Sequence, residues 1–173
     1  MGLLGLAALA LQIFFLLRIG TMLAVDPQST AFERSEAWRL ASAGKRGWSQ
    51  TWKPYGQISD QLKRAVIASE DDSFAIHDGV DWESIEKAWE KNSKAAAAAT
   101  RTQTGKPPAG RMAKVVGGST ITQQLAKNLL LSGERNLFRK SQEFVLTFWL
   151  ERLLGKERIL EIYLNSVEWG EGV

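Results

Sequence analysis

The stretch Gly117–Gln124, "GGSTITQQ", runs directly into "LAKNLLL", which ends at Leu131. Two glycines, three hydroxyls and two amides come first, and an amphipathic run follows. Thr120 and Gln123 stand at capping-box spacing, so the apolar run is read as a helix from about Thr120 to Leu131. Working outward from it, the next helix is expected from about Asn136 to Leu154, stopped at Gly155, and another from about Lys156 to Asn165. On the N-terminal side, Ser59 is a natural N-cap for a helix that presents Leu62, Ala65, Val66 and Ser69 on one face and ends near "SEDD". A further helix should open at Asp81, with Trp82, Ile85 and Trp89 in register. No segment alternates with a period of two and no internal repeat is present, so the fold class is mainly α.

The 173 residues suit about one domain, and the formal net charge is a mild +3. The absence of cysteine excludes disulfides and thiolate metal sites. Residues 1–25 are almost wholly apolar, with Gln12 and Arg18 as the exceptions. That length suits an uncleaved transmembrane anchor, with Arg18 snorkelling or paired and the span packed in lipid rather than on the domain. A cleaved signal peptide fits less well, because no basic segment precedes the apolar run. Residues 26–57 form a connector with turn signals, and 58–173 form the domain. Within it, 91–114 carries an alanine run, "TGKPPAG", and six basic residues with no acidic one. It is expected to be a flexible basic insertion, whose alternative role is attraction to anionic lipid or substrate. Nucleic acid is disfavoured as a partner, since no aromatics interleave with these charges.

Two segments could carry chemistry. In "SEDDSFAIHDG" (69–79), Glu70, Asp71 and Asp72 are adjacent at an expected helix C-terminus. The helix dipole and the neighbouring carboxylates oppose ionisation there, which suits a general base. A solvated acidic turn is the plainer reading. His77 is the chain's single histidine, which excludes Ser–His and two-His designs, and a turn hydrogen bond is its simplest role. In "RKSQE" (139–143), Arg139, Lys140 and Glu143 share one helix face. They form either a surface ion-pair set or a place for a sugar phosphate or pyrophosphate.

Taken together, "EDDSFAIHDG", "GGSTITQQLAKNLLL", "RKSQE" and "KERILEIYLN" resemble, in order, the signatures of the peptidoglycan glycosyltransferase family. The single anchor and the segment "DPQSTAFERSEAWRL" resemble its monofunctional biosynthetic branch. The resemblance covers about Ser59 to Val173. It implies a lysozyme-like helical domain, which looks C-terminally truncated because the family's domains continue beyond "NSVEWGEGV". It also implies polymerisation of lipid II into β-1,4 glycan, with inversion and release of the lipid pyrophosphate. The enzyme would sit in the bacterial cytoplasmic membrane, single-pass, with its domain on the periplasmic side, beside other cell-wall synthesis or division proteins.

By motif, Glu70 would be the base and Glu143 the second catalytic acid. Lys127, Arg139 and Lys140 would hold pyrophosphate, a task a divalent cation such as Mg or Mn could share. Asp71, Phe74, His77, Ser119, Thr120, Gln123 and Gln124 would bind substrate. Thr122 belongs with the hydroxyls of that loop, and Gly117 and Gly118 would allow close backbone approach. Ile159, Ile162 and Tyr163 read mainly as packing. The rival readings are a lysozyme-like hydrolase, which would also use a Glu at a helix end, and a non-catalytic membrane-anchored scaffold.

Overall fold

The computed structural model describes residues 2–27, 38, 39, 42, 51–101, 117–131 and 136–167. The helices are α1 (Gly2–Thr21), α2 (Asp60–Glu70), α3 (Trp82–Arg101), α4 (Ile121–Leu130), α5 (Leu137–Leu153) and α6 (Lys156–Ser166), with a 3₁₀ turn at Tyr55–Gln57. Among the described residues there is no strand. Most of the connector, residues 102–114 of the insertion and the last six residues lie outside the described residues.

The centre is the packing of α4 against α5 and α6. Ile121 and Leu129 from α4, Leu146 and Leu150 from α5, and Ile159 and Ile162 from α6 are fully buried. The capping box at the start of α4 is complete. The Thr120 hydroxyl accepts from the Gln123 N–H and the Gln123 side chain accepts from the Thr120 N–H. Asn136 caps α5 by accepting from the Arg139 N–H at 2.7 Å. Asp81 caps α3 by accepting from the Ser84 N–H at 2.8 Å. The Ser73 hydroxyl and the Ser84 N–H hold the Asp81 carboxyl down at about 2.

Several expectations are corrected. Ser59 occupies the N-cap of α2, but its hydroxyl bonds Gln61 instead of the helix. The buried positions of α2 are Lys63 and Val66; Leu62, Ala65 and Ser69 face outward. Lys63 tolerates burial because its Nζ bonds Asp60 at 3.0 Å and lies 4.0 Å from the Tyr55 ring centre. Trp82 and Trp89 are exposed, and Ala88 is the buried residue among the described side chains of α3. Gly155 has an ordinary φ of −75° and opens α6; the end of α5 is an extended Leu154. Residues 91–101, the start of the insertion, continue α3 as helix, as the high helix propensity of alanine favours.

The largest correction concerns α1. It is long and apolar enough to cross a membrane. Residues 2–11 are exposed, yet Phe15, Ile19 and Met22 are buried in the same core as α4–α6. Gln12 donates to the Gln142 side chain of α5 at 3.0 Å. Arg18 donates to the Leu129 carbonyl at 3.2 Å, one of the carbonyls that the end of α4 leaves without a helical partner. Arg158 of α6 donates to the Met22 carbonyl at 2.8 Å and to Asp26 at 2.8 Å. The second half of α1 is therefore part of the domain.

The loop 71–81 between α2 and α3 is pinned from below. Gly79 has φ +86°, and a Cβ there would lie 2.7 Å from Glu151 Cγ and 2.7 Å from Thr147 Cγ2. Gly79→Ala is therefore expected to cost about 2–4 kcal/mol, from left-handed strain and a clash with two packed side chains. Chemical unfolding of the two proteins measures it. A cost under about 0.5 kcal/mol would mean the turn relaxes freely.

Candidate active site

Loop 71–81 lies beside the start of α4, and its inner face is occupied by the protein itself. Asp71 is buried and accepts from the Ile121 N–H at 2.9 Å, which places a carboxylate at the α4 N-terminus. It also pairs with His77 Nε2 at 2.8 Å and accepts from the Ser73 hydroxyl at 3.5 Å. His77 Nδ1 accepts from the Gly79 N–H at 3.0 Å, so the imidazole carries its proton on Nε2 and donates it to Asp71. Phe74 is 2% exposed and sits under Lys156, whose Nζ is 4.6 Å from the ring centre. Lys156 also donates to the His77 carbonyl at 2.6 Å and to Glu151 at 2.9 Å, and Thr122 donates to Glu151 at 2.6 Å. The Thr120 hydroxyl donates to the Gly79 carbonyl at 2.6 Å.

Phe74, expected to bind substrate, is buried; Asp71, His77 and Thr120, expected to do the same, are bonded within the frame, and Asp71 and Thr120 also line a small cleft beside Glu70. His77 does make the expected turn hydrogen bond. Gly118 allows close approach, since a Cβ would lie 3.0 Å from the Ile85 Cα; Gly117 has no such neighbour. The Lys156–Glu151–Thr122 network was not legible in the sequence, because its members come from separate segments.

What this frame presents outward is Glu70. It is exposed, at the last residue of α2, and its Oε2 accepts from Gln124 Nε2 at 3.0 Å. Glu70 lines a small cleft of about 130 Å³ together with Asp71, Asp72, Asp81, Gly117, Gly118 and Ser119. A larger cleft of about 560 Å³ adjoins it, lined by Ser119, Gln123, Gln124, Lys127, Asn136, Leu137, Arg139, Lys140 and Glu143. Ser119 belongs to both clefts, and Gln124 reaches from the larger one to Glu70.

Glu143 is buried, 3% exposed, and is held by two cations of its own helix. Arg139 donates to one carboxylate oxygen at 2.9 Å and Lys140 donates to the other. The shared face read from "RKSQE" is therefore real, and it lies on a cleft rather than on open surface. Two cations against one carboxylate leave a net charge of +1, and Lys127 raises the lining of this cleft to +2. Arg139 Nε and Gln123 Nε2, of two residues lining this cleft, are buried with no partner among the described residues. One end of the paired clefts is acidic and the other cationic. Among the described residues, no group of three or more His, Cys, Asp or Glu side chains is arranged to hold a metal ion.

A domain of packed helices with an apolar N-terminal helix thus presents an exposed carboxylate next to a cationic cleft. The chain belongs to the transglycosylase family, whose profile matches residues 38–173. It is 51% identical over 168 residues to a "Biosynthetic peptidoglycan transglycosylase" of Burkholderia orbicola (strain MC0-3), covering 96% of this chain and 62% of that protein. A protein of the same name from Janthinobacterium sp. (strain Marseille) is 48% identical over 169 residues, covering 97% of this chain and 66% of the relative. The chain thus spans a little under two thirds of the length of these relatives.

Proposed function

We infer that the protein, at its full length, polymerises lipid II into β-1,4-linked glycan. The observation that carries this reading is the polarity of the paired clefts, with Glu70 at one end and Lys127, Arg139 and Lys140 at the other. Family membership and the names of the relatives support it. The acceptor's 4-hydroxyl gives its proton to the free oxygen of Glu70 as its oxygen bonds to the donor's anomeric carbon. The bond from that carbon to the pyrophosphate breaks on the opposite face, and configuration inverts. Charge then gathers on the departing pyrophosphate, where fixed cations stabilise it most. Arg139 supplies a fork for two oxygens and Lys140 a point charge, while Glu143 fixes both. The unpartnered Gln123 Nε2 and Arg139 Nε are donors suited to phosphate or sugar oxygens. We place the reaction at the cytoplasmic membrane, on the periplasmic side, a reading supported by family membership and by an α1 long and apolar enough to cross a membrane.

The test is incubation of the full-length protein with lipid II and, separately, with finished glycan. Polymer from the first and no cleavage of the second is the expected result. Cleavage alone would favour a hydrolase, and neither product would favour a scaffold.

Lys140 offers a sharper check on the cationic end. Its side chain is 40% exposed and pairs with Glu143. Lys140→Met is expected to weaken binding of a phosphoglycolipid mimic about tenfold, the scale of one charge-assisted contact. Affinity and a melting curve are measured together. A lower melting temperature with unchanged affinity would make Lys140 a structural residue.

A further inference from the structure

Glu70 has one hydrogen-bond partner among the described residues, the side chain of Gln124. An amide can face a carboxylate with either end, and only one end is useful. An ionised carboxylate is an acceptor only, so Gln124 must present Nε2 to Glu70. That leaves Gln124 Oε1 pointing the other way, 3.2 Å from the Tyr163 hydroxyl of α6. Oε1 is an acceptor, so Tyr163 must donate.

We propose that Tyr163 is a positioning residue: it fixes the orientation of Gln124, and Gln124 in turn holds Glu70 with one oxygen tied and the other open to the acceptor. The proposal rests on the reading of Glu70 as the base. Three observations support it. Tyr163 is 3% exposed and packed in the core, so its hydroxyl cannot wander. Burial, then the charges of Glu70 and Asp71, push its phenol up to about 12, so it remains a donor across the working range. Among the described residues, the Gln124 amide bonds Glu70 and Tyr163, so Tyr163 is its anchor on the side away from Glu70. The carboxylates sharing the small cleft with Glu70 are Asp71, Asp72 and Asp81, and each is a pure acceptor when ionised. They cannot do what the amide does. Tyr163 reads from sequence as packing, and its ring does pack. The hydroxyl is what the aliphatic neighbours of "ILEIYL" leave unexplained.

The test uses the full-length protein with Tyr163→Phe, Gln124→Leu and the double variant. Phe fills the same volume without the hydroxyl. In Tyr163→Phe, kcat for lipid II polymerisation is expected to fall about tenfold, the scale of one lost orienting hydrogen bond, with KM within about twofold. Gln124→Leu should fall at least as far, and the double variant no further than Gln124→Leu. Independently of turnover, the Gln124 side-chain amide is followed by NMR, its signal assigned by its loss in Gln124→Leu. Its hydrogen exchange should quicken about tenfold in Tyr163→Phe. Unchanged exchange, additive losses in the double variant, or a Phe variant that fails to fold would each overturn the proposal. A quickened amide in a protein that polymerises nothing, even as wild type, would instead overturn the transfer reading and leave the positioning intact.

Discussion

Glu70→Gln is expected to lower lipid II polymerisation by at least about 10²-fold, the usual scale for a general base, with the melting curve unmoved. The stability half of this follows from placement. Glu70 is exposed at the end of α2, and its partner there is the Gln124 side chain. A glutamine at 70 keeps the shape and can still accept from Gln124 Nε2 through its own carbonyl. What it loses is the capacity to take a proton from the acceptor hydroxyl. Turnover is measured on the full-length protein with lipid II, beside thermal unfolding. Near-normal turnover would remove Glu70 from the chemistry. A fall in turnover matched by a fall in melting temperature would make it a structural residue.

The second large effect concerns the anchor, and it is the reverse of what an apolar N-terminal segment suggests. Removing residues 2–25 should destabilise the domain rather than merely free it from membranes. Phe15, Ile19 and Met22 would leave the core, at about 1.5–3 kcal/mol each. That sum is comparable with the whole stability of a typical domain, about 5–15 kcal/mol. Arg158 would also lose the Met22 and Val25 carbonyls, and the Leu129 carbonyl would lose Arg18. Removing residues 2–11 alone takes away only exposed side chains and should leave the domain's stability nearly unchanged. Thermal unfolding of both truncations in the same detergent separates the cases. Equal melting temperatures would mean that α1 merely rests on the domain.

The difference between these truncations shows where the sequence is legible. Helices α4, α5 and α6 announce themselves by local chemistry: a capping box at Thr120, a capping Asn136, and apolar residues at helical spacing. Such signals act within a few residues, so they survive translation from sequence to structure. Which face of a short helix is buried depends on its neighbours. In α2, Lys63 is buried because Asp60 and the Tyr55 ring receive its ammonium, and nothing in the spacing of Leu62 or Ala65 foretells that. The docking of α1 was illegible for a different reason. An apolar helix has the same composition whether lipid or protein lies against it. In the candidate site, the pairing of Arg139 and Lys140 with Glu143 follows from helical spacing and was readable. The partners of Asp71 and Phe74 were not, because Ile121 and Lys156 lie on two other segments.

The union of α1 with α5 bears on how the protein would travel. A catalytic head on a slack leash tumbles, and its mouth faces every direction in turn. Here Gln12 holds Gln142, the residue next to Glu143, and Arg158 grips the chain where α1 ends. With α1 upright in a bilayer, the mouth keeps one height above the lipid and one inclination to it. The remaining freedom is a drift in the plane and a spin about the membrane normal, like a keeled boat. A lipid-borne substrate drifting in that plane would then always arrive at the right level, and the encounter would depend on heading alone.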